Sequence, residues 1–388
     1  MNQTVFGYFS TALACLSTFG ACAAEIELKK PVVASLTPTI SSATTLRLTG
    51  VLRHGDTETM RRMLGDLRAN ATQNQSPSII TIELSSLGGD LDEGLKMGYL
   101  FRDLDVATIV RKGDICLSAC ALAFLGGTRV HAQERRTSDQ HLEIGSKLGF
   151  HAFWLNPQSA ARPTSSEPVQ ARMQGFGEAL AGATAVMRFA ADLGVDAHFI
   201  AAVLSRPVDD VTYINTNEQF LTLNICPTHL SRPSISLAEQ AVNICNHSTG
   251  VSSRAALVRE MTATQAKRYM LENVQRNMLL LNVKGALSVQ LASYPVMRDE
   301  RAIDNLYADL QAAGVRLPTI VGPVFEVSGY RIGDSEAQCF VSMSRNDPDR
   351  YEVAIRRPAK WAHPERSAPR NCRGLYLHDS AAVINPKP

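Results

Sequence analysis

The chain has 388 residues, a length that allows about two domains of ordinary size, each with its own buried core. Lys and Arg number 39 and Asp and Glu number 37, so the formal net charge is only +2, and no long basic run occurs. Composition and charge therefore exclude the strongly basic class of nucleic-acid-binding proteins, and we expect neither a nucleic-acid partner nor a cofactor.

The N-terminus is an uncharged stretch of apolar and small residues, 5–24. Small residues at its end suit cleavage by a signal peptidase near Ala23, so we interpret residues 1–24 as a signal peptide. Because no Lys or Arg precedes the apolar core, two alternatives stay open: a retained membrane anchor, and lipid attachment at Cys22. The sequence predicts a periplasmic or secreted protein, with any membrane association made through its N-terminus.

Residues 25–227 alternate between apolar strand patterns and helical patterns. The predicted strands are 46–52, 78–84, 106–110 and 148–154, and the predicted helices are 57–69, 91–103, 118–125, 169–193 and 196–204. Polar stretches at 131–144 and 156–168 predict loops. Strands that alternate with helices indicate βαβ crossovers, so the predicted fold is α/β with a largely parallel sheet.

Three short motifs in this half contain candidate catalytic residues. Ser86-Leu87-Gly88-Gly89 follows a predicted strand, Ser118 stands in Cys-Leu-Ser-Ala-Cys where a helix begins, and His151 stands in Gly-Phe-His-Ala on a later strand. A serine at a strand-to-helix junction projects its hydroxyl from a rigid corner, beside the first free N–H groups of the helix. An imidazole within reach can take the hydroxyl proton. Together the motifs predict the oxyanion loop, nucleophile and base of a hydrolase.

In order and spacing the motifs resemble the Clp protease/crotonase superfamily, especially its exported bacterial ClpP-like members, over about residues 45–225. In that family a strand ends in a Ser-Pro-Gly-Gly loop, the nucleophilic serine opens a later helix, and a histidine follows on a subsequent strand. The resemblance implies repeated β-β-α units, Ser118 as nucleophile and His151 as base. It also implies an oxyanion hole made by backbone N–H groups near Gly89 and of Ala119.

The resemblance further implies an acidic third member of a catalytic triad. Asp210 is the best match, and Asp209 is the alternative, because this segment is one residue longer than the family's usual spacing. An aspartate behind the imidazole would fix its tautomer and stabilise the imidazolium. The expected partners are a peptide or protein substrate and, since Clp-type folds commonly assemble, further copies of the same chain.

Six of the eight cysteines lie beyond the predicted signal peptide, an even number that suits disulfides in an oxidising compartment. Cys116 and Cys120 flank Ser118, and two interpretations fit them: a bridge that braces the serine, or two small buried thiols.

The other four cysteines also allow two interpretations. Neighbourhood in the sequence pairs Cys226 with Cys245, and Cys339 with Cys372. The alternative is a tetrahedral zinc site with the ligands Cys226, His229, Cys245 and His247.

The second half has no catalytic constellation. We interpret residues 228–254 as a linker or disulfide-tied loop and residues 255–388 as a C-terminal α+β region of unknown role. The predicted helices there are 255–283 and 301–313, the predicted strands are 324–327, 339–343 and 351–355, and 358–388 is expected to be irregular.

Two hypotheses of different classes follow. The first is an exported serine hydrolase, most simply a peptidase, that uses Ser118, His151 and Asp210. The second is a non-catalytic ClpP-like module that serves in binding or assembly. The sequence favours the enzyme, because a binding module has no need of serine, histidine and aspartate in this order.

Overall fold

The structure is a computed structural model. It describes residues 24–29, 44–73, 80–130, 136–152, 168–252, 256–279, 281–294, 299–332, 334–347, 349–357, 360–362 and 372–386. The predicted signal peptide or anchor, apart from residue 24, and the predicted loop up to residue 167 lie outside these ranges. Within them, no helix combines the length and the apolar character that a membrane crossing requires.

The strands in chain order are β1 (Glu25–Lys29), β2 (Thr44–Thr49), β3 (Ile80–Ser85), β4 (Ala107–Val110), β5 (Ile115–Leu117), β6 (Thr128–Val130), β7 (Arg136–Ser138), β8 (Gln140–Glu143), β9 (Lys147–Phe150), β10 (Thr212–Tyr213), β11 (Ile225–Thr228), β12 (Leu257–Met261), β13 (Val324–Ile332), β14 (Ser335–Met343), β15 (Tyr351–Arg357) and β16 (Lys360–Ala362). The helices are α1 (Asp56–Gln73), α2 (Leu91–Asp103), α3 (Ala119–Phe124), α4 (Pro168–Leu193), α5 (Ala197–Leu204), α6 (Asn217–Thr222), α7 (Leu237–Thr249), α8 (Ala263–Arg276), α9 (Ala286–Ser293) and α10 (Glu300–Ala312).

The first half is built on a six-stranded sheet of order β1-β2-β3-β4-β8-β11. All neighbours from β2 to β11 pair in parallel, and only β1 is antiparallel to its neighbour. Helices α1 and α2 lie in the crossovers between parallel strands, and α1 buries Met60 and Leu64 completely. The mixed α/β architecture with a largely parallel sheet is confirmed.

A central strand of this sheet occupies a segment where the sequence predicted a loop. The polar stretch 131–144 contains β7 and β8, and β8 lies between β4 and β11. Three of its four side chains are polar, although a central strand is usually filled with apolar residues. Gln140 is nonetheless buried, because its side-chain amide donates to the backbone oxygen of Leu125 at 2.6 Å. A hydrogen bond from the side-chain amide thus takes the place of apolar packing at this position.

The second half is a five-stranded antiparallel sheet, β12 to β16 in sequence order. Helix α7 packs on one face, where Ile244 joins a core with Phe325, and α8 and α10 pack on the other, where Met270 joins a core with Phe340. The α+β character of this region agrees with the sequence analysis.

Two details of the second half differ from the predictions. The interpretation of 228–254 as a linker does not describe that segment, because α7 lies within it. A capping box between Ser236 and Glu239 begins this helix, and Gly250 ends it with φ +69°. The helix predicted from residue 255 begins only at Ala263, because β12 precedes it.

Four of the six cysteines beyond the predicted signal peptide pair differently from either interpretation drawn for them from the sequence. Cys226 is bonded to Cys372 across 146 residues, and Cys245 to Cys339 across 94 residues. Both pairings by sequence neighbourhood are therefore wrong. The zinc alternative is also wrong, because its two cysteines are bonded to other cysteines. Its second histidine, His247, instead contacts the backbone oxygen of His378 at 2.8 Å.

The end of the chain returns to the first half of the molecule. Residues 372–386, expected to be irregular, contain a 3₁₀ turn at Arg373–Leu377 and then lie along the start of α6, where Asn217 N–H donates to Ala382 O at 2.9 Å. Ile384 belongs to the core of the first half. The C-terminal segment thus packs against both halves, since Tyr376 and Leu377 belong to the core of the second half.

Asn385 is the most buried polar anchor of this segment, with 2% of its surface exposed. Its side-chain oxygen accepts from Gly145 N–H at 2.8 Å, and its side-chain nitrogen donates to Ser146 O at 2.8 Å. These two residues lead directly into β9.

Replacing Asn385 with alanine is expected to destabilise the fold by about 1–3 kcal/mol, because it leaves the buried Ser146 carbonyl without its donor and removes the bond from Gly145 N–H. Urea unfolding measures the effect. The matched control is Asn305→Ala at an exposed position of α10, which should change the free energy of unfolding very little. Equal effects of the two substitutions would contradict the anchoring role of Asn385.

Candidate active site

Ser118 stands at a sharp corner between β5 and α3. Its backbone has φ +56° and ψ −125°, a conformation that residues other than glycine rarely adopt. The corner is held on both sides, because Ser118 N–H donates to Gly149 O at 3.0 Å and Ser118 O accepts from Leu122 N–H at 3.1 Å. Such strained backbone persists only when its surroundings enforce it, and it clusters at functional sites.

The loop 86–89 lies against this corner. Ser86 N–H donates to Ile115 O at 2.7 Å, and Leu117 N–H donates to Ser86 O at 3.0 Å, so the loop is tied to β5. Ser86 Oγ also accepts from Gly88 N–H at 3.1 Å. Leu87 is 65% exposed. Hydrogen bonds to β5, and not packing of the Leu87 side chain, therefore fix the loop.

The two glycines of the loop face different neighbours. Gly88 has φ +102°, and a Cβ atom there would lie 2.7 Å from Ser118 Cβ and 3.2 Å from Ala119 N. Gly89 has φ +141° and lies opposite Leu52 in an isolated parallel β-bridge. The hydrogen bonds of this bridge use the neighbours of Gly89: Leu52 N–H donates to Gly88 O, and Asp90 N–H donates to Leu52 O. The Gly89 N–H therefore points away from Leu52. Glycine is required at both positions because a side chain would collide with backbone atoms.

His151 directly follows β9, which pairs with β5 on one side and β10 on the other. Its ring nitrogen Nδ1 lies 2.6 Å from the backbone oxygen of Ala152. Because a carbonyl oxygen can only accept, Nδ1 is the protonated nitrogen and the lone pair of the neutral ring is on Nε2.

Ser118 and His151 line the same cleft, which holds about 370 Å³ of empty space, part of it open to solvent. The other lining side chains are apolar: Leu91, Leu122, Phe150, Val186, Ile200, Val203 and Leu204. None of the hydrogen bonds among the described residues joins Ser118 Oγ to the His151 ring. The cleft thus brings the predicted nucleophile and base to one apolar space.

Asp210 lies beside the strand that leads to His151. It comes two residues before Thr212, which pairs with Phe150. Its carboxylate contacts Arg206 at 3.3 Å, and its side chain is 50% exposed. The described contacts thus pair Asp210 with an arginine, and the Ala152 carbonyl takes the place at Nδ1 that a triad aspartate would have. The triad role of Asp210, or of Asp209, stays a prediction.

A network of charged side chains braces the strands that lead into the site. Arg47 makes two hydrogen bonds to Asp114, just before β5, at 2.8 and 2.7 Å, and it also contacts Glu83 of β3 at 3.3 Å. Burial alone would raise the pKa of Glu83, but hydrogen bonds from Lys29 and Arg111 hold that pKa below its ordinary value. The carboxylate therefore stays ionised and links β3 to its neighbours.

Several contacts at the site were missed by the sequence analysis. The acceptor for His151 Nδ1 is a backbone oxygen, which no side-chain pattern reveals. The anchoring of the start of β9 by Asn385 joins residues about 240 positions apart. Of the two interpretations of Cys116 and Cys120, the bridge is confirmed.

Comparisons with known proteins give weak similarities. No family model matches the chain. No curated protein matches it. Among solved structures, the chain is similar to a point mutant of ClpP1 from Listeria monocytogenes, with 16% identity and a TM-score of 0.33, over 48% of this chain and 92% of that one. It is also similar to a point mutant of the 1510-N membrane-bound stomatin-specific protease, with 14% identity and a TM-score of 0.29, over 43% of this chain and 70% of that one. The assignment of the site rests on this chain's own geometry.

Proposed function

We propose that this chain is a serine hydrolase of the ClpP-like type, most simply a peptidase, with Ser118 as nucleophile and His151 as general base. The observation that supports this most strongly is the backbone at Ser118. A non-glycine residue with φ +56° stands at a strand-to-helix corner and opens into the same cleft as an imidazole. Backbone strain of this kind costs free energy and is found mostly at functional sites, and it is explained here if the corner serves to project a nucleophile.

The proposed reaction has two stages. In the first, His151 Nε2 takes the proton from Ser118 Oγ, and the oxygen attacks the substrate carbonyl carbon. The N–H groups of Gly89 and Ala119 stabilise the oxyanion, and the proton passes to the leaving amine as the carbon–nitrogen bond breaks. In the second, His151 takes a proton from a water molecule as the water oxygen attacks the acyl carbon, the ester bond to Ser118 Oγ breaks, the proton passes to Ser118 Oγ and the acid product leaves. The Ala152 carbonyl holds the ring in the required tautomer throughout.

The lining of the cleft favours a substrate with an apolar side chain next to the scissile bond. Among the described residues that line it, seven of nine are apolar and none carries a permanent charge. A charged side chain would lose its hydration there without finding a partner, whereas an apolar one would bury its surface favourably. Peptide and protein substrates are the proposed class.

The three disulfides support a location outside the cytoplasm. Pairs that join residues 226 with 372 and 245 with 339 form and persist in oxidising compartments, and reducing cytoplasm disfavours them. We therefore place the enzyme in the periplasm or outside the cell. Assembly into a homo-oligomer is part of the same proposal and follows from the resemblance to Clp-type proteins.

A fluorophosphonate probe tests the proposed function, because it forms a covalent bond only with an activated serine. The folded wild-type chain should be labelled on Ser118, identified by mass spectrometry of the peptide, and urea-unfolded chain should not be labelled. The exposed Ser205 serves as an internal control and should stay unmodified. Ser118→Ala should keep its circular dichroism spectrum and lose all labelling. A folded wild-type chain that resists the probe would favour the binding or assembly module.

A further inference from the structure

Two cysteines bracket the proposed nucleophile and are joined to each other. Cys116 is the middle residue of β5, and Cys120 lies in the first turn of α3. Their Cα atoms are 5.3 Å apart, and both side chains are fully buried. The bridge therefore spans the corner at Ser118, with its one anchor on a strand and the other on a helix.

The strand anchor of the bridge is fixed from two sides. Cys116 pairs with Ser86 of the glycine loop and with Leu148 of β9. The bridge connects this fixed point to the helix that starts immediately after Ser118. Movement of the helix start relative to the strand would have to break the covalent link, so the bridge restricts the backbone angles of the three residues between its cysteines, of which Ser118 is the middle one.

The short span of this bridge points to a local role. A disulfide stabilises a fold by restricting the unfolded chain, and the effect grows with the length of the closed loop. The other two bridges close loops of 146 and 94 residues, whereas this one spans only four. It is therefore expected to contribute least to overall stability, although it lies at the most strained backbone position of the site.

We propose that the Cys116–Cys120 disulfide is a positioning element that holds Ser118 in its reactive conformation, so that hydrolysis depends on the oxidised state of this pair. The inference rests on the proposed function. Without the bridge, the corner relaxes toward an unstrained backbone, and Ser118 Oγ moves away from the carbonyl carbon that it attacks. The chain still folds, because the two long-range bridges and the core remain.

The test compares two double variants that each remove one buried bridge. Cys116→Ala/Cys120→Ala removes the bridge at the site, and Cys245→Ala/Cys339→Ala removes a fully buried bridge in the second half. Labelling by a fluorophosphonate is followed at several probe concentrations, which separates the maximal rate of reaction from the affinity of the cleft for the probe. Thermal unfolding is measured on the same samples.

The site variant should show a maximal labelling rate lower by about 10-fold to 100-fold, the loss that accompanies misplacement of a reacting atom by about 1 Å. Its affinity for the probe should stay near that of wild type, because the apolar walls of the cleft are unchanged. The control variant should show the opposite pattern: a lower unfolding temperature and an unchanged labelling rate. A site variant that folds and reacts at the wild-type rate would overturn the proposal.

A second measurement on the wild-type chain covers the case in which the site variant does not fold. Titration with dithiothreitol breaks each disulfide, places one hydrogen on each sulfur and converts the dithiol to its cyclic disulfide. Mass spectrometry gives the oxidised fraction of each bridge separately. The labelled fraction should follow the 116–120 pair, and labelling that follows another bridge or none overturns the proposal. Failure of the proposed function is distinguishable, because the fully oxidised wild-type chain would then not be labelled at all.

Discussion

Replacing His151 with glutamine is expected to slow both fluorophosphonate labelling and peptide hydrolysis by about 100-fold to 10,000-fold, the range of a positioned general base. Glutamine keeps a polar side chain of similar reach, so the cleft should keep its shape, but its amide cannot take the serine proton at neutral pH. The measurement is the labelling rate constant of the folded variant, with circular dichroism and the unfolding temperature recorded in parallel. A variant that keeps the wild-type rate would contradict the role of His151.

The matched control for His151→Gln is Asp210→Asn. The Asp210 carboxylate contacts Arg206 and is half exposed, whereas the Ala152 carbonyl accepts from His151 Nδ1. If the carbonyl orients the imidazole, Asp210→Asn should change the labelling rate little, because an exposed ion pair contributes little energy. A loss as large as that of His151→Gln would mean that Asp210 turns to the histidine in the working enzyme and that the triad prediction is right.

The parts of the fold that could be predicted from sequence are those with a strong apolar pattern. Helix α2 matches its predicted bounds of 91–103, and α4 and α10 match theirs within one residue. Gly94 lets α2 pack closely on α3, because a Cβ atom at this position would lie 2.5 Å from Ala119 O. In these helices the periodic spacing of apolar residues along the sequence matches the face that is buried in the fold, so the pattern predicts them well.

The parts that could not be predicted depend on partners distant in the chain. Strand β8 is polar and is recognisable only once Gln140 has found its backbone acceptor. The partners of Cys226 and Cys245 lie 146 and 94 residues away, and loop closure costs so little with added length that sequence proximity is a poor guide. Helix α7 is different, because its capping box at Ser236 and its terminal Gly250 were visible in the sequence.

The candidate site also has features that the sequence predicts and features that it does not. The order of the glycine loop, Ser118 and His151 is a sequence property, and the structure brings Ser118 and His151 to one cleft. The strained corner and the carbonyl acceptor are properties of the backbone, so side-chain motifs do not report them. The Cys116–Cys120 bridge has features of both kinds. The spacing of the two cysteines is visible in the sequence, whereas the position of the bridge across the strained backbone of Ser118 is visible only in the structure.

The second large effect is expected for Gly88→Ala, in the loop that faces Ser118. A methyl group at this position would lie 2.7 Å from Ser118 Cβ and 2.8 Å from Leu117 O, so either the loop or the serine corner must move. Labelling should fall by about 100-fold or more, because displacement of the nucleophile from the oxyanion groups removes both reaction geometry and charge stabilisation. The measurement is the labelling rate constant, together with the free energy of unfolding in urea.

Gly113→Ala separates the collision from the backbone strain. Gly113 has φ +84°, close to the φ of +102° at Gly88, but a Cβ atom there would meet nothing within 4 Å. Both alanine variants bear the cost of a left-handed backbone, about 1 kcal/mol. Only Gly88→Ala adds contact with the serine corner, so its extra loss of labelling over Gly113→Ala measures how closely the loop and Ser118 must fit. Equal labelling of the two variants would mean that the loop at Gly88 and the corner at Ser118 do not form one site.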